Sequence, residues 1–127
     1  MTHQPEDRRV ADWDRAWFRV DPTADCVIVT AAGEIDVESA VGLGHAVRDS
    51  LESSSRLVID LSRVTFIDST GLGALIDARR RAVANGGSVS LVKPPDLVRR
   101  ILAGTQLQHF LPVFESLRAA LDALETS

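Results

Sequence analysis

Leu57-Val58-Ile59-Asp60-Leu61, followed by Val64-Thr65-Phe66-Ile67 and then Asp68-Ser69-Thr70-Gly71-Leu72-Gly73, carries an apolar strand directly into a helix. The strand side is a nearly continuous β-branched and apolar run, the composition that a parallel strand buried on both faces requires. The helix side opens at Asp68 or Ser69, and either side chain can accept a hydrogen bond from the free N–H groups of a first helical turn. Leu72, Leu75, Ile76 and Val83 then recur at three- and four-residue spacing, while Asp77, Arg79, Arg80 and Arg81 largely fill the other face. This spacing places Ser69 on a short exposed turn. Its hydroxyl is then either a helix cap or a phosphoacceptor, and local chemistry does not choose between the two.

Upstream, strands are predicted over residues 16–20 and 26–31, joined by the turn-rich Asp21-Pro22-Thr23 as a hairpin. Gly33 is expected to end the second strand. Asp36 is expected to cap a helix reaching about residue 53, with Val37, Ala40, Val41, Val47 and Leu51 on its inner face. Asp60 reads as the end of a buried strand and carries no assigned chemistry. Downstream, Asn85-Gly86-Gly87 supplies a left-handed stop, and Ser88-Val89-Ser90-Leu91-Val92 alternates as a strand should. Pro94-Pro95 precede a short helix over residues 96–103, with Leu97, Val98, Ile101 and Leu102 inward and Gly104 as its stop. A short strand over residues 110–113 and a last helix over residues 116–124, burying Leu117, Ala120, Leu121 and Leu124, complete the chain.

Strands alternating with helices imply an α/β fold: a mostly parallel or mixed sheet of about four to five strands with about four helices packed on it. Right-handed crossovers bring loops to the carboxyl ends of the strands. Residues 33–36 and 68–73 both follow strands and both open helices, so they are expected to meet on one sheet edge. That edge is the predicted functional face.

The chain has 127 residues, 45% of them hydrophobic, which suits one compact domain with a real core. The expected organisation is a flexible arm over residues 1–14, its end held by Trp13 and Trp17, and a domain over residues 15–127. A net charge of -4 argues against direct nucleic-acid binding, and Arg79 to Arg81 and Arg99-Arg100 read as solvated helix faces. The single cysteine, Cys26, excludes an intramolecular disulfide and sits in an apolar run as a core thiol. No stretch approaches the roughly 20 apolar residues of a membrane span, and the first residues lack the apolar core of a secretory signal, so the expected location is the cytoplasm.

An enzyme needs a nucleophile, a base and an oxyanion site. Strand, Ser69 and helix together are similar to a hydrolase elbow, but Ile67 stands where G-x-S-x-G needs glycine, and His3, His45 and His109 are not placed to serve Ser69. No phosphate-binding Gly-rich loop with lysine and no Cys/His zinc spacing is present, so no catalysis, cofactor or metal is expected.

Gly33-Glu34-Ile35-Asp36, then Leu57-Val58-Ile59-Asp60-Leu61, then Phe66-Ile67-Asp68-Ser69-Thr70-Gly71-Leu72-Gly73 together resemble the STAS family, and more narrowly its anti-sigma factor antagonists, from about residue 17 to 124. The resemblance implies a bacterial partner-switching regulator of stress-type transcription. The unphosphorylated antagonist would bind an anti-sigma factor that is also a serine kinase, releasing the sigma factor, and phosphorylation would undo the binding. A PP2C-like serine phosphatase would reset the switch. The phosphoacceptor maps onto Ser69; antagonists often carry a second serine where Thr70 stands, which leaves Thr70 open as a second acceptor. The implied partner surface comprises Glu34, Asp36, Asp68, Ser69, Thr70, Gly71, Leu72 and Gly73. Asp36 and Asp68 can equally be helix caps, and Gly71 and Gly73 can serve close packing on the sheet as well as close approach of a partner. The alternative within the same family is a structural STAS subunit of an ABC-type lipid transport complex. Oligomeric state is not legible.

Overall fold

The computed structural model describes residues 9–13 and 15–125. One sheet runs in the order β1 (Arg9–Trp13), β2 (Ala16–Pro22), β3 (Val27–Ile35), β4 (Arg56–Ile67), β5 (Ser88–Val92) and β6 (Val113–Phe114). The pairs β1–β2 and β2–β3 are antiparallel, while β3 to β6 are mutually parallel. The helices α1 (Ser39–Ser50), α2 (Ser69–Ala84) and α3 (Asp96–Thr105) follow β3, β4 and β5, and α4 (Leu117–Glu125) ends the described chain. The α/β alternation expected from the sequence is therefore the observed one.

The period-two alternation of the strands divides the apolar residues between two faces. Leu57, Ile59 and Leu61 of β4 join Val27, Val29, Val89 and Leu91 in the main core, against Leu43, Leu72, Leu75, Val98 and Leu102 from α1, α2 and α3. Val58, with Cys26 and Val92, instead meets Ala120 and the partly buried Leu117, Leu121 and Leu124 of α4. Burial on both faces is why Leu57 to Leu61 reads as a nearly continuous apolar run. Cys26 is a buried core thiol, 1% exposed, as expected.

The sheet has six strands rather than four to five, because Arg9–Trp13 is not an arm: it pairs with β2 in the register Val10↔Arg19, Ala11↔Phe18. An edge strand needs a partner on one side only and tolerates charge, so a charged segment hides it. The remainder of the expected arm, residues 1–8 and 14, lies outside the described residues. Asp60 does not end a strand; β4 runs on to Ile67, and Asp60 Oδ1 accepts the Ser62 N–H at 3.0 Å.

Gly33 does not stop β3. It sits at φ +92 within register shifts against β4, and the strand continues to Ile35. Helix α1 ends at Ser50, and Val37 and Val41 are exposed while Ser39, Leu43 and Ala46 face inward with Ala40 and Val47. On α2, Leu72 and Leu75 are buried as expected, but Ile76 and Val83 are exposed and Ala78 and Ala82 take the inner positions. Leu97 on α3 is likewise exposed. That helix passes through Gly104 to Thr105 and is terminated by Gln106 in the left-handed region at φ 62. The strand expected over 110–113 is shorter and later, β6 at Val113–Phe114, and a short 3-10 helix, Leu107–His109, precedes it.

Candidate functional site

Because β3 and β4 are parallel, Ile35 and Ile67 are register partners and both strands deliver their following turns to one edge. The backbone N–H of Asp68 donates to the Ile35 carbonyl at 3.2 Å, which fixes the two turns side by side. The two loops expected to converge do so.

Asp68 is extended, at φ -101 and ψ -171, and its Oδ1 accepts the Gly71 N–H at 3.0 Å while its carbonyl accepts the Leu72 N–H at 2.9 Å. It is the N-cap of α2, which settles the choice between Asp68 and Ser69. Ser69 and Thr70 therefore occupy the first turn, exposed, with Ser69's hydroxyl not needed as the cap. Their N–H groups belong to the turn that has no carbonyl one turn earlier within the helix, and they stand at the positive end of a 16-residue helix. Anionic charge is tolerated at such a place.

Gly71 and Leu72 face inward. A Cβ on Gly71 would fall 2.5 Å from Ile67 Cγ1, 2.9 Å from Ile35 Cγ2 and 3.0 Å from the Ile35 carbonyl oxygen. Gly71 is thus the residue that lets the first turn of α2 sit on the ends of β3 and β4. Gly73 differs: a Cβ there would meet nothing within 4 Å, and the position is exposed.

On the neighbouring turn, Asp36 Oδ1 accepts the N–H groups of Glu38 and Ser39 at 3.1 and 3.0 Å. The Asp36 N–H donates back to Ser39 Oγ at 2.9 Å, a reciprocal pair of the capping-box kind, and the Ala40 N–H bonds the Asp36 carbonyl at 2.8 Å. Asp36 does the work of a cap although the regular helix begins at Ser39. The Ser39 backbone N–H, with further hydrogen bonds from its hydroxyl and from Glu38 and the nearby charge of Arg15, outweighs desolvation and holds the Asp36 carboxyl below its ordinary pKa. Sequence reasoning passed over Ser39, whose buried hydroxyl also donates to the Glu34 carbonyl at 2.7 Å; the D-x-x-S spacing was the available signal.

Glu34 is ion-paired to Arg15 at 2.9 Å, and its N–H bonds the Arg15 carbonyl at 3.0 Å. This contact between β3 and the residue just before β2 is possible because Gly33 has no side chain: a Cβ there would lie 2.1 Å from the Arg15 carbonyl oxygen. Phe66, the register partner of Glu34, is 48% exposed and adds an apolar group to the edge that the sequence reading did not select.

The remaining candidates lie elsewhere. His45 is on α1 and His109 in the 3-10 helix, while His3 is outside the described residues. Among the described residues no cluster of three or more His, Cys, Asp or Glu side chains is placed to hold a metal ion, and no helix is long and apolar enough to cross a membrane. Within the arginine clusters, Arg80 and Arg81 pair with Asp77, and Arg99 with Glu115.

A model of the STAS domain family matches residues 18–120 of the chain. The anti-sigma-B factor antagonist of Bacillus subtilis is 33% identical over 85 residues, spanning 67% of this chain and 78% of that protein. The crystal structure of an anti-sigma factor antagonist from Mycobacterium paratuberculosis superposes with a TM-score of 0.77 at 30% identity, covering 88% of this chain and 96% of that one. The phosphorylated form of SpoIIAA, a Bacillus cell fate determinant, shares the fold with a TM-score of 0.70 at 19% identity, over 84% of this chain and 98% of that one.

Proposed function

The chain belongs to the STAS domain family, and we propose that it is an anti-sigma factor antagonist whose partner binding is switched by phosphorylation of Ser69. The antagonist relatives support an anti-sigma factor as the partner. The observation that carries the switch is the first turn of α2: Asp68 caps the helix, so the exposed Ser69 hydroxyl is spare.

In the proposed cycle the anti-sigma factor is also a serine kinase. Ser69 Oγ attacks the γ-phosphorus of ATP held by that kinase, ADP leaves, and the hydroxyl proton passes to a base on the kinase. The product adds about -1.5 to -2 charges and three acceptor oxygens at one point. The helix dipole and first-turn N–H groups tolerate the charge, so the fold need not change. Asp68 beside it repels it, whereas the Glu34 charge is met by Arg15 and Asp36 is committed to its own turn.

The larger effect falls on the partner, whose surface matches a neutral hydroxyl and now meets a solvated anion that is costly to bury. A loss of roughly 3 kcal/mol corresponds to about a hundredfold in affinity. The proposed contact surface comprises Glu34, Asp36, Asp68, Ser69, Thr70 and Gly73, with Gly71 and Leu72 shaping the turn from beneath. A PP2C-like serine phosphatase removes the phosphate. The protein is a substrate in this cycle and supplies no catalysis, and its place of action is the cytoplasm.

Capture from host lysate with wild-type and Ser69→Asp baits tests this reading. A kinase-type anti-sigma factor held by the wild type and absent from the aspartate form supports it; transport ATPase subunits held by both would replace it with the transport-subunit reading.

A further inference from the structure

Helix α2 carries a second feature below Ser69. Ser69, Gly73, Ile76, Arg80 and Val83 are all exposed and follow one another at alternating steps of four and three residues, the spacing of a coiled-coil seam. Along its lower part the seam borders a groove of about 430 Å³, lined by Ile76, Arg80 and Val83 on one side and Leu107, Phe110 and Leu111 on the other. Ile76, Val83 and Phe110 remain 37%, 44% and 49% exposed, so three large apolar side chains stand uncovered around one depression. Isolated exposed apolar residues are ordinary, but a contiguous set around a groove marks a contact surface.

Two observations say what covers it. The first is charge. Arg79, Arg80 and Arg81 share this stretch of helix with one acid, Asp77, which pairs with both Arg80 and Arg81, so the groove's rim is basic on a chain of net charge -4. Arg79 is itself fixed over the groove wall, its guanidinium 4.6 Å from the Phe110 ring centroid and its Nε donating to the Phe110 carbonyl at 2.7 Å. The second is continuity. Ser69 and Val83 are about 21 Å apart along the helix axis, within the roughly 30 Å breadth of a standard interface of about 800 Å² per partner. Between them Gly73 leaves open space where a side chain would stand.

We propose that the groove receives an amphipathic helix bearing acidic residues, contributed by the same anti-sigma partner that reads Ser69. The proposal rests on the function proposed above and extends it: Ser69 switches the contact, and the Ile76–Arg80–Val83 stripe with Phe110 anchors it and selects the partner. The partner helix lies along α2, its apolar side chains in the groove and its carboxylates toward the arginine rim.

The test is calorimetric titration of the purified anti-sigma kinase retained by the wild-type bait into four forms of the chain: wild type, Ser69→Asp, Ile76→Ser with Val83→Ser, and Arg80→Glu. Ile76 and Val83 are exposed and lie outside the core, and Arg80→Glu gives up an exposed ion pair with Asp77, so thermal melts establish that these forms are folded. The proposal expects both groove variants to weaken binding by about tenfold or more, with Ser69 still phosphorylated by excess kinase. Wild-type binding that is lost in Ser69→Asp but unchanged in both groove variants overturns the groove proposal and leaves the Ser69 switch standing. Groove variants that only convert a dimer to a monomer in light scattering assign the groove to a second copy, which also overturns it. A wild type that does not bind the kinase overturns the functional reading and this proposal together.

Discussion

The Asp68 N–H and the Ile35 carbonyl, 3.2 Å apart, join the end of β3 to the start of α2, so the turn bearing Asp36 and the turn bearing Ser69 stand side by side. Packing beneath that hydrogen bond explains the glycines. Gly71→Ala places a methyl group against Ile67 and Ile35 and is expected to destabilise the chain by about 1 to 3 kcal/mol. Gly73→Ala has open space and should be neutral or stabilising by up to about 1 kcal/mol. Urea denaturation of the two variants checks this; equal losses would contradict the close seating of α2.

Gly33→Ala meets two obstacles at once. The position requires φ +92, and the new Cβ would fall 2.1 Å from the Arg15 carbonyl oxygen, a backbone atom that cannot rotate away. A loss of about 2 kcal/mol or more is expected, read as a lowered denaturation midpoint. An unchanged midpoint would mean that the backbone around Gly33 and Arg15 relaxes freely.

Cap and core residues of α2 should separate by size of effect. Asp68→Ala removes one first-turn hydrogen bond and is expected to cost about 1 kcal/mol. Leu75→Ala empties a fully buried site and is expected to cost about 2 to 5 kcal/mol. Melting curves of both variants test the order; a near-neutral Leu75→Ala would contradict the inward face of α2.

The Asp36 carboxyl, held below its ordinary pKa chiefly by the Ser39 N–H, makes the entry to α1 pH-dependent. Its folded-state pKa is lower than its unfolded-state value of about 3.9, so the unfolded chain binds the proton more readily. The stabilisation is therefore complete above that value and is lost as pH falls through the folded-state pKa. The stability difference between wild type and Asp36→Asn should be constant near neutral pH and shrink in acid. A difference that grows on acidification would reverse the assigned sign.

How much of this was legible in the sequence depended on whether the signal was local. The strand-to-helix handover at Ile67-Asp68-Ser69, the cap chemistry of Asp36 and Asp68, and the meeting of the two turns follow from short-range hydrogen bonding and from parallel topology, and all three are present in the structure. Helix phase was less legible. Val37, Val41, Ile76, Val83 and Leu97 are large and apolar, yet the helices sit close to the sheet and give their inner positions to Ser39, Ala40, Ala46, Ala78 and Ala82. Size alone misassigns such faces. Gly33 and Gly104 read as stops because glycine often ends elements; one lies within β3, where the Arg15 carbonyl leaves no room for a side chain, and the other lies inside α3. The Arg15–Glu34 pair is long-range and left no local signal.

Ser69 is the proposed phosphoacceptor of the switch. The direct measurement is phosphotransfer from ATP by the captured kinase to wild type and Ser69→Ala, with the site located by peptide mass spectrometry and the kinase affinity of each product titrated. Phosphate is expected on Ser69, with a roughly hundredfold loss of affinity on modification, and a folded Ser69→Ala form that takes no phosphate at this position and stays bound. Phosphate entering both forms alike at another residue, or a phospho-Ser69 form that binds as tightly as the unmodified one, would contradict this assignment.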